Sequence, residues 1–310
     1  MKRRVLSDLL IIHHPGDYLR EVLTVCDLNE RKPESAIVTN AYRMAFRLYR
    51  GEFNGYLGYD TNYHDFAHAA ETFLTMARLL HGASLSSEKL TQRDMAAGLT
   101  AAILHDAGYI RRSSESQSAG AHHRSEHEIR GMDFVSKHGE TIGLTPSEIA
   151  ECRTMIQGTM MSEDVNAMSF ESENLKLLTR MLSVSDLLAQ LSSPTYLERL
   201  VFLYEEDRAS KAPNYQDPLD CFRKAILFDE RASSRLQNHL EQYEVYLANH
   251  FNARWNTPMN LYRISMDRQI QFLAGAIERP GFDPRCHLRR WGSVDALQLT
   301  LSENSMGKSG

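Results

Sequence analysis

The sequence predicts an all-α protein, a helical bundle carrying additional C-terminal helices. Three observations carry this. The 310 residues include only 17 glycines and 9 prolines, about 8% against an average near 12%, so chain breakers are scarce. Apolar residues recur three and four apart over long segments, the spacing of one helix face. No segment alternates apolar and polar residues over a useful length, and no internal repeat is present. With 42% hydrophobic and 24% charged residues, the chain has ample material for a core.

Taken in order, 36–50 (AIVTNAYRMAFRLYR) has helical spacing and stops at Gly51. GEFNGYLGYDTN reads as a loop. Residues 63–81 form a strongly helical stretch ending at Gly82, and Thr91 opens the next helix, which runs through MAAGLTAAILHD. RRSSESQSAG has little to bury and reads as a polar loop. Helices follow near 122–138, near 146–157 after Thr145-Pro146, near 173–191, from Pro194 to about Glu206, over 217–250 and near 259–278. The domain reading is an N-terminal extension (1–35) packed on a core (36–206), a C-terminal helical part of the same domain (207–300) and a disordered tail (301–310).

Charge and cysteine usage exclude several classes. The 35 basic residues against 40 acidic ones give a net charge of −5, which disfavours general affinity for nucleic acid. Cys26, Cys152, Cys221 and Cys286 are widely spaced and form no Cys-x-x-Cys pair, so neither a zinc ribbon nor a dithiol redox site is written here. They read as reduced cytosolic thiols. The apolar patch near the N-terminus is interrupted by Asp8 and is too short to span a bilayer. The expectation is a cytoplasmic protein without membrane partners.

Histidines and acids cluster within this apolar pattern. His64 and His68, four apart, would share one face of a helix. His105 and Asp106 interrupt the apolar run GLTAAILHDAGY, and Asp186 sits among leucines in LTRMLSVSDLLAQL. Each feature alone is commonplace: a surface or core histidine pair, a dipeptide, a locally bonded aspartate. Together they specify more, because a buried carboxylate needs a partner and one divalent cation would serve them all. Three imidazoles and two carboxylates suit zinc, manganese, iron or another first-row metal.

These motifs resemble known ones. YHDFAHA is similar to the Tyr-His-Asn-x-x-His-Ala signature of the cyclic-nucleotide phosphodiesterases, with Asp65 in place of the asparagine. AAILHDAGY resembles the His-Asp element of the HD superfamily of metal-dependent phosphohydrolases, and SVSDLLAQ its final aspartate helix. The stretch from about 62 to 206 also resembles predicted bacterial HD phosphohydrolases, including PTYLERLVFLYEE after the last aspartate. The resemblance implies an HD-type, phosphodiesterase-like bundle in which His68, His105, Asp106 and Asp186 ligate a metal. It makes His64 the general acid and Asp106 the bridging carboxylate if a second ion binds. One or two divalent ions (Zn, Mn, Fe or Mg) are the implied cofactor.

Two further elements are weaker. In AHHRSEHEIRG, His122, His123, Glu126 and His127 could reach inward from two faces of one turn, to a second metal, a water or phosphate; a solvated turn is the bland alternative. The paired histidines that other HD branches place further on are missing around TMIQGTMM, which disfavours a three-metal or cyclic-dinucleotide reading. Gln269 and Phe272, with Pro280, resemble the purine-binding Gln-x-x-Phe element, against the alternative of an amphipathic helix with Phe272 in the core. Arg111 and Arg112 would meet phosphate or remain solvated.

The expected function is metal-dependent hydrolysis of a small phosphate ester, a nucleotide or cyclic nucleotide. Nucleotide monoester hydrolysis and a non-catalytic nucleotide-sensing module are the alternatives. A second copy of the chain is a further partner left open.

Overall fold

The computed structural model describes residues 5–9, 12–60, 63–86, 88–115, 123–210 and 213–279, with only the helical backbone over 227–242. Within them the chain is helical throughout: α1 (Gly16–Cys26), α2 (Ser35–Tyr49), α3 (Phe66–Ser84), α4 (Gln92–Leu104), α5 (His127–Ile142), α6 (Pro146–Gln157), α7 (Glu173–Ser192), α8 (Tyr196–Ala209), α9 (Pro218–Trp255) and α10 (Leu261–Ile277). No strand occurs among the described residues; a single bridge joins Tyr56 and Arg112. No helix there is long and apolar enough to cross a membrane.

Local sequence sets the helix ends. Thr91 caps α4 with a reciprocal Asp94 contact, and Thr145 does the same for α6 with Glu148, ahead of Pro146 at the first helical position. Glu148 also accepts from Arg93, tying α6 to α4. α5 ends at Gly143 and α9 at Asn256, both left-handed.

Helix α3 is the centre of the molecule. It packs against α1, α4, α7 and α9, and its buried residues cover every face of the helix, as expected for an internal helix. Gly82 makes its approach to α9 possible, because a Cβ there would lie 1.8 Å from the Tyr246 carbonyl oxygen. α10 packs on α7 and α9. Apolar residues from α1 to α10 join one continuous core, Val22 and Val25 of α1 included.

Within the N-terminal extension, residues 16–26 form a helix whose apolar face docks on α3. Two expectations need correction. α3 begins at Phe66 rather than 63, because the Asp65 side chain caps it. α5 begins at His127 rather than 122, with the chain over 123–126 in turns. Residues 280–310, including Pro280, Cys286 and the tail, lie outside the described residues.

The α3–α9 contact contains a buried histidine pair. His81 Nδ1 and His250 Nδ1 lie 3.0 Å apart, so one ring donates and the other accepts. Burial, reinforced by Arg78, pushes His250 down to about 2; burial and Arg254 lower His81. The folded state therefore binds fewer protons here than the unfolded chain below pH ~6.5. Stability from this pair is complete above that pH and falls with acidification by about 1.4 kcal/mol per pH unit for His250. We expect His250→Phe to flatten the acid limb of the melting-temperature profile between pH 6.5 and 4.5, measured by scanning calorimetry. Parallel profiles would contradict this.

Candidate metal centre

The start of α3 is built around Asp65. Its carboxylate accepts from the His68 backbone N–H at 2.9 Å and from Arg199 at 2.9 Å. Arg199 also donates to the Tyr63 carbonyl. His64 thus occupies the turn before the helix and His68 its first full turn. They do not share a helix face as expected, yet the turn folds back enough to place their rings 6.1 Å apart.

Helix α4 carries the second element to the same place. His105 forms its C-cap and Asp106 precedes a short 3-10 turn, Ala107–Tyr109. The Ala102 carbonyl can only accept, so His105 Nδ1 donates to it at 2.9 Å and Nε2 is directed to the cluster. Gly108 lets α5 come close: a Cβ there would lie 1.8 Å from the His127 carbonyl oxygen. Asp186 arrives from the middle of α7.

The side chains converge. His68 Nε2 is 3.5 Å from Asp106 Oδ2 and 3.1 Å from Asp186 Oδ1. His105 Nε2 is 3.4 Å and 3.5 Å from the same two oxygens. Four donors around one ion at 2.0–2.2 Å stand roughly 2.8–3.6 Å from their neighbours in octahedral or tetrahedral arrangements, and the observed spacings fall in that range. His105 Nε2 and Asp106 Oδ2 are buried without a hydrogen-bond partner, an arrangement that is costly unless a cation fills it. His68, His105 and Asp106 form a buried group that can hold a metal ion.

Electrostatics point the same way. Burial would lower the His105 pKa, but Asp106 and Asp186 hold it up at about 9. Burial would raise Asp186, but His105 and His68 hold its carboxyl well below the usual range. Asp106 is lowered against burial by His105 and His127. The cluster retains positive charge, as a proton or an ion.

A second set of groups borders this one. His64 Nδ1 meets Glu206 Oε2 at 2.8 Å, and Glu206 also accepts from the Tyr63 N–H. The Tyr109 ring packs against both His64 and His127, 4.3 Å from each, and those two rings lie 6.3 Å apart, tilted by 34°. His127 Nδ1 donates to the Arg124 carbonyl at 2.7 Å, while its Nε2 faces Asp106 Oδ1 at 3.4 Å. Burial pushes His127 down to about 4. The neutral ring then turns a lone pair towards a carboxylate oxygen, two acceptors face to face.

Both sets open into a cavity of about 300 Å³. Tyr63, His64, His68, Asp106, Tyr109, His127 and Asp186 line its polar end, with Arg124 and Glu128 beside them. Tyr196, Leu200, Leu203, Tyr215 and Ala225 supply an apolar, aromatic wall. Arg124 is anchored by Asp207, which is completely buried. Burial pushes the Glu128 carboxyl up to about 7.

Other expected site residues fall elsewhere. Gln269 is buried, but its amide donates to the carbonyls of Leu191 and Ser193, and Phe272 is 46% exposed. Neither lines the cavity, which corrects the base-pocket expectation: the amide is committed to joining α10 to the end of α7. Nor does Phe272 belong to the core. His123 pairs with Glu126 at 2.9 Å and neither reaches the cavity, because the chain turns there instead of forming helix. Of the four residues singled out in that segment, His127 alone among the described ones reaches the centre, and His122 lies outside the described residues. Arg111 pairs with Asp60 and Arg112 approaches Asp133 at 3.9 Å; neither lines the cavity. Glu206, Tyr109 and Arg124 were not anticipated. Glu206 lies 143 residues from Tyr63, so no local spacing signals their meeting.

We expect protein purified without chelator to carry divalent metal by elemental analysis, and His105→Ala and Asp106→Asn to reduce it at least tenfold. Restoring metal to stripped protein at 100 times its Kd should add about 2.7 kcal/mol of stability and release protons, since His105 must give up its own. An unchanged melting temperature would contradict this. Comparison with family models, curated proteins and solved structures returns no match for the chain.

Proposed function

We propose that the protein is a metal-dependent phosphohydrolase acting on a small phosphate ester, a nucleotide or cyclic nucleotide. One observation carries this reading: a histidine–carboxylate cluster suited to a metal and a carboxylate-held histidine border the same cavity. His68, His105, Asp106 and Asp186 would hold the ion. Asp106, with its second oxygen turned to His127, is the residue fitted to share a further ion. A bound divalent ion supplies Lewis acidity at phosphoryl oxygens and makes water a competent nucleophile near neutral pH.

The chain's own groups account for the rest. Glu206 accepts from His64 Nδ1 and fixes the ring, so that Nε2, 3.5 Å from the Tyr109 hydroxyl, is the nitrogen available for proton transfer. An imidazole in this role protonates a departing alkoxide. Tyr109 stacks on both the His64 and the His127 rings and limits how far either can turn. Arg124, fixed by Asp207, brings a cation to the cavity for a phosphate. Tyr196, Tyr215, Leu200 and Leu203 suit the uncharged face of a base or another flat organic group, without a built donor–acceptor site from Gln269.

A screen of nucleotides and cyclic nucleotides with Mn, Mg, Zn and Fe tests the proposal. Release of free phosphate marks a monoesterase and a monoester product marks a diesterase. We expect His64→Ala to keep its metal and fold yet lose activity by about 10²–10⁴-fold, and Glu206→Gln to lose part of that. Parallel loss of metal would make His64 a ligand. Unchanged turnover would remove it from the mechanism.

A further inference from the structure

The groove between α3 and α7 does not end at the candidate metal centre. His68 begins a stripe on α3 that continues through Glu71, Thr75 and Arg78, at helical spacing. On α7, Asp186 begins a matching stripe that continues to Ala189 and to Ser193 at the helix C-cap. Glu71 and Ser193 meet across the groove at 3.4 Å and divide it. On the near side a small gap reaches His68. On the far side lies a second cavity of about 410 Å³, closed in part by the N-terminal segment and by Tyr262 of α10. That volume falls within the roughly 300–1,000 Å³ typical of small-ligand pockets.

The walls of this cavity are mostly apolar, with Leu6, Ile12, Leu74 and Pro194 among them, and the described lining residues include one guanidinium. Arg78 is only 3% exposed. It donates to the Tyr262 hydroxyl at 2.8 Å and lies over the rings of Phe251 and Tyr262. Its Nε is buried with no acceptor. The one carboxylate among the described lining residues, Glu71, accepts from the hydroxyls of Tyr18 and Ser193 through Oε1, while its Oε2 is buried without a hydrogen-bond partner. Arg78 therefore stands at the cavity with ring faces and a phenol for company, and among the described residues no ion pair supplies this buried cation with a counter-charge.

We propose that this cavity binds a small monocarboxylic acid with an uncharged apolar body, its carboxylate paired to Arg78. A single guanidinium matches one negative charge and fits carboxylate geometry. A phosphate dianion would bring a second charge that no other described lining residue neutralises. The apolar walls would cover a chain or ring, and the hydroxyls of Thr75 and Tyr262 remain beside the head group. The site is separate from the metal centre and does not depend on the activity proposed above.

Titration calorimetry on the full-length protein tests this with octanoate and 3-phenylpropanoate, against octan-1-ol and inorganic phosphate. We expect one saturable carboxylate per chain, octan-1-ol at least tenfold weaker and no phosphate binding at this site. The aliphatic and aromatic acids together show which body the cavity takes. Arg78→Met should weaken binding about 10- to 100-fold, the range for losing a charge-assisted pair. Leu6→Trp should block the cavity from the N-terminal side. Both should keep the metal content of the parent protein. If Arg78→Met fails to fold, Leu6→Trp and the octan-1-ol comparison decide the question. The proposal is overturned if neither acid binds, if octan-1-ol binds as well as octanoate, or if binding survives Leu6→Trp. Loss of octanoate binding in His105→Ala would also overturn it by moving the acid to the metal centre.

Discussion

A buried carboxylate oxygen without a hydrogen-bond partner is the constraint around which this molecule is arranged. Asp106 Oδ2 sits at the end of an apolar helix, within 3.4–3.5 Å of two imidazole nitrogens, and no protein donor satisfies it. Desolvating a carboxylate in this way is tolerable only beside compensating positive charge. The supporting elements can be read from that requirement. α3 runs through the centre of the fold and brings His68, α4 ends at His105, α7 brings Asp186, and Gly108 admits α5 close enough for His127 to face the other Asp106 oxygen.

Around that centre the structure assembles groups whose value lies in orientation. Asp65 caps α3 and holds Arg199, so the turn carrying His64 is anchored to α8 from two directions. Glu206, from the same helix, receives the His64 ring. An asparagine at 65 would cap the helix as well, but it would not offer Arg199 a charged acceptor. The aspartate here therefore couples the capping of one helix to the docking of another. The second cavity extends the same logic: the α3 and α7 faces that form the candidate metal centre continue past it and leave a guanidinium, Arg78, at a largely apolar space.

Much of this was legible in the sequence, for physical reasons. Helices α4, α6, α7 and α10 followed from apolar spacing and from caps such as Thr91 and Thr145-Pro146. That His64, His68, His105, Asp106 and Asp186 should gather followed from polar residues placed where only a core should be, and the division into four ligands and His64 was what the motif resemblance implied. Residues that depend on long-range docking were not legible. Nothing local ties Glu206 to His64 or Asp207 to Arg124. The Gln-x-x-Phe spacing is a feature of one helix and says nothing about which way that helix faces. Once α10 packs on α7, Gln269 meets the free carbonyls at the α7 terminus, and these claim its amide. α1 was not read, although Tyr18, Val22, Val25 and Cys26 recur at helical spacing there; the run between Gly16 and Asp27 is short.

The central claim is that the four side chains surround one metal ion. Crystals of the purified protein, measured above and below the absorption edge of the metal that elemental analysis identifies, test it most directly. The account predicts an anomalous peak between His68 Nε2, His105 Nε2, Asp106 and Asp186, about 2.0–2.2 Å from each ligand atom for a zinc-like ion. A peak elsewhere would contradict it. So would crystals grown with saturating metal in which the four groups are bridged only by protons and water.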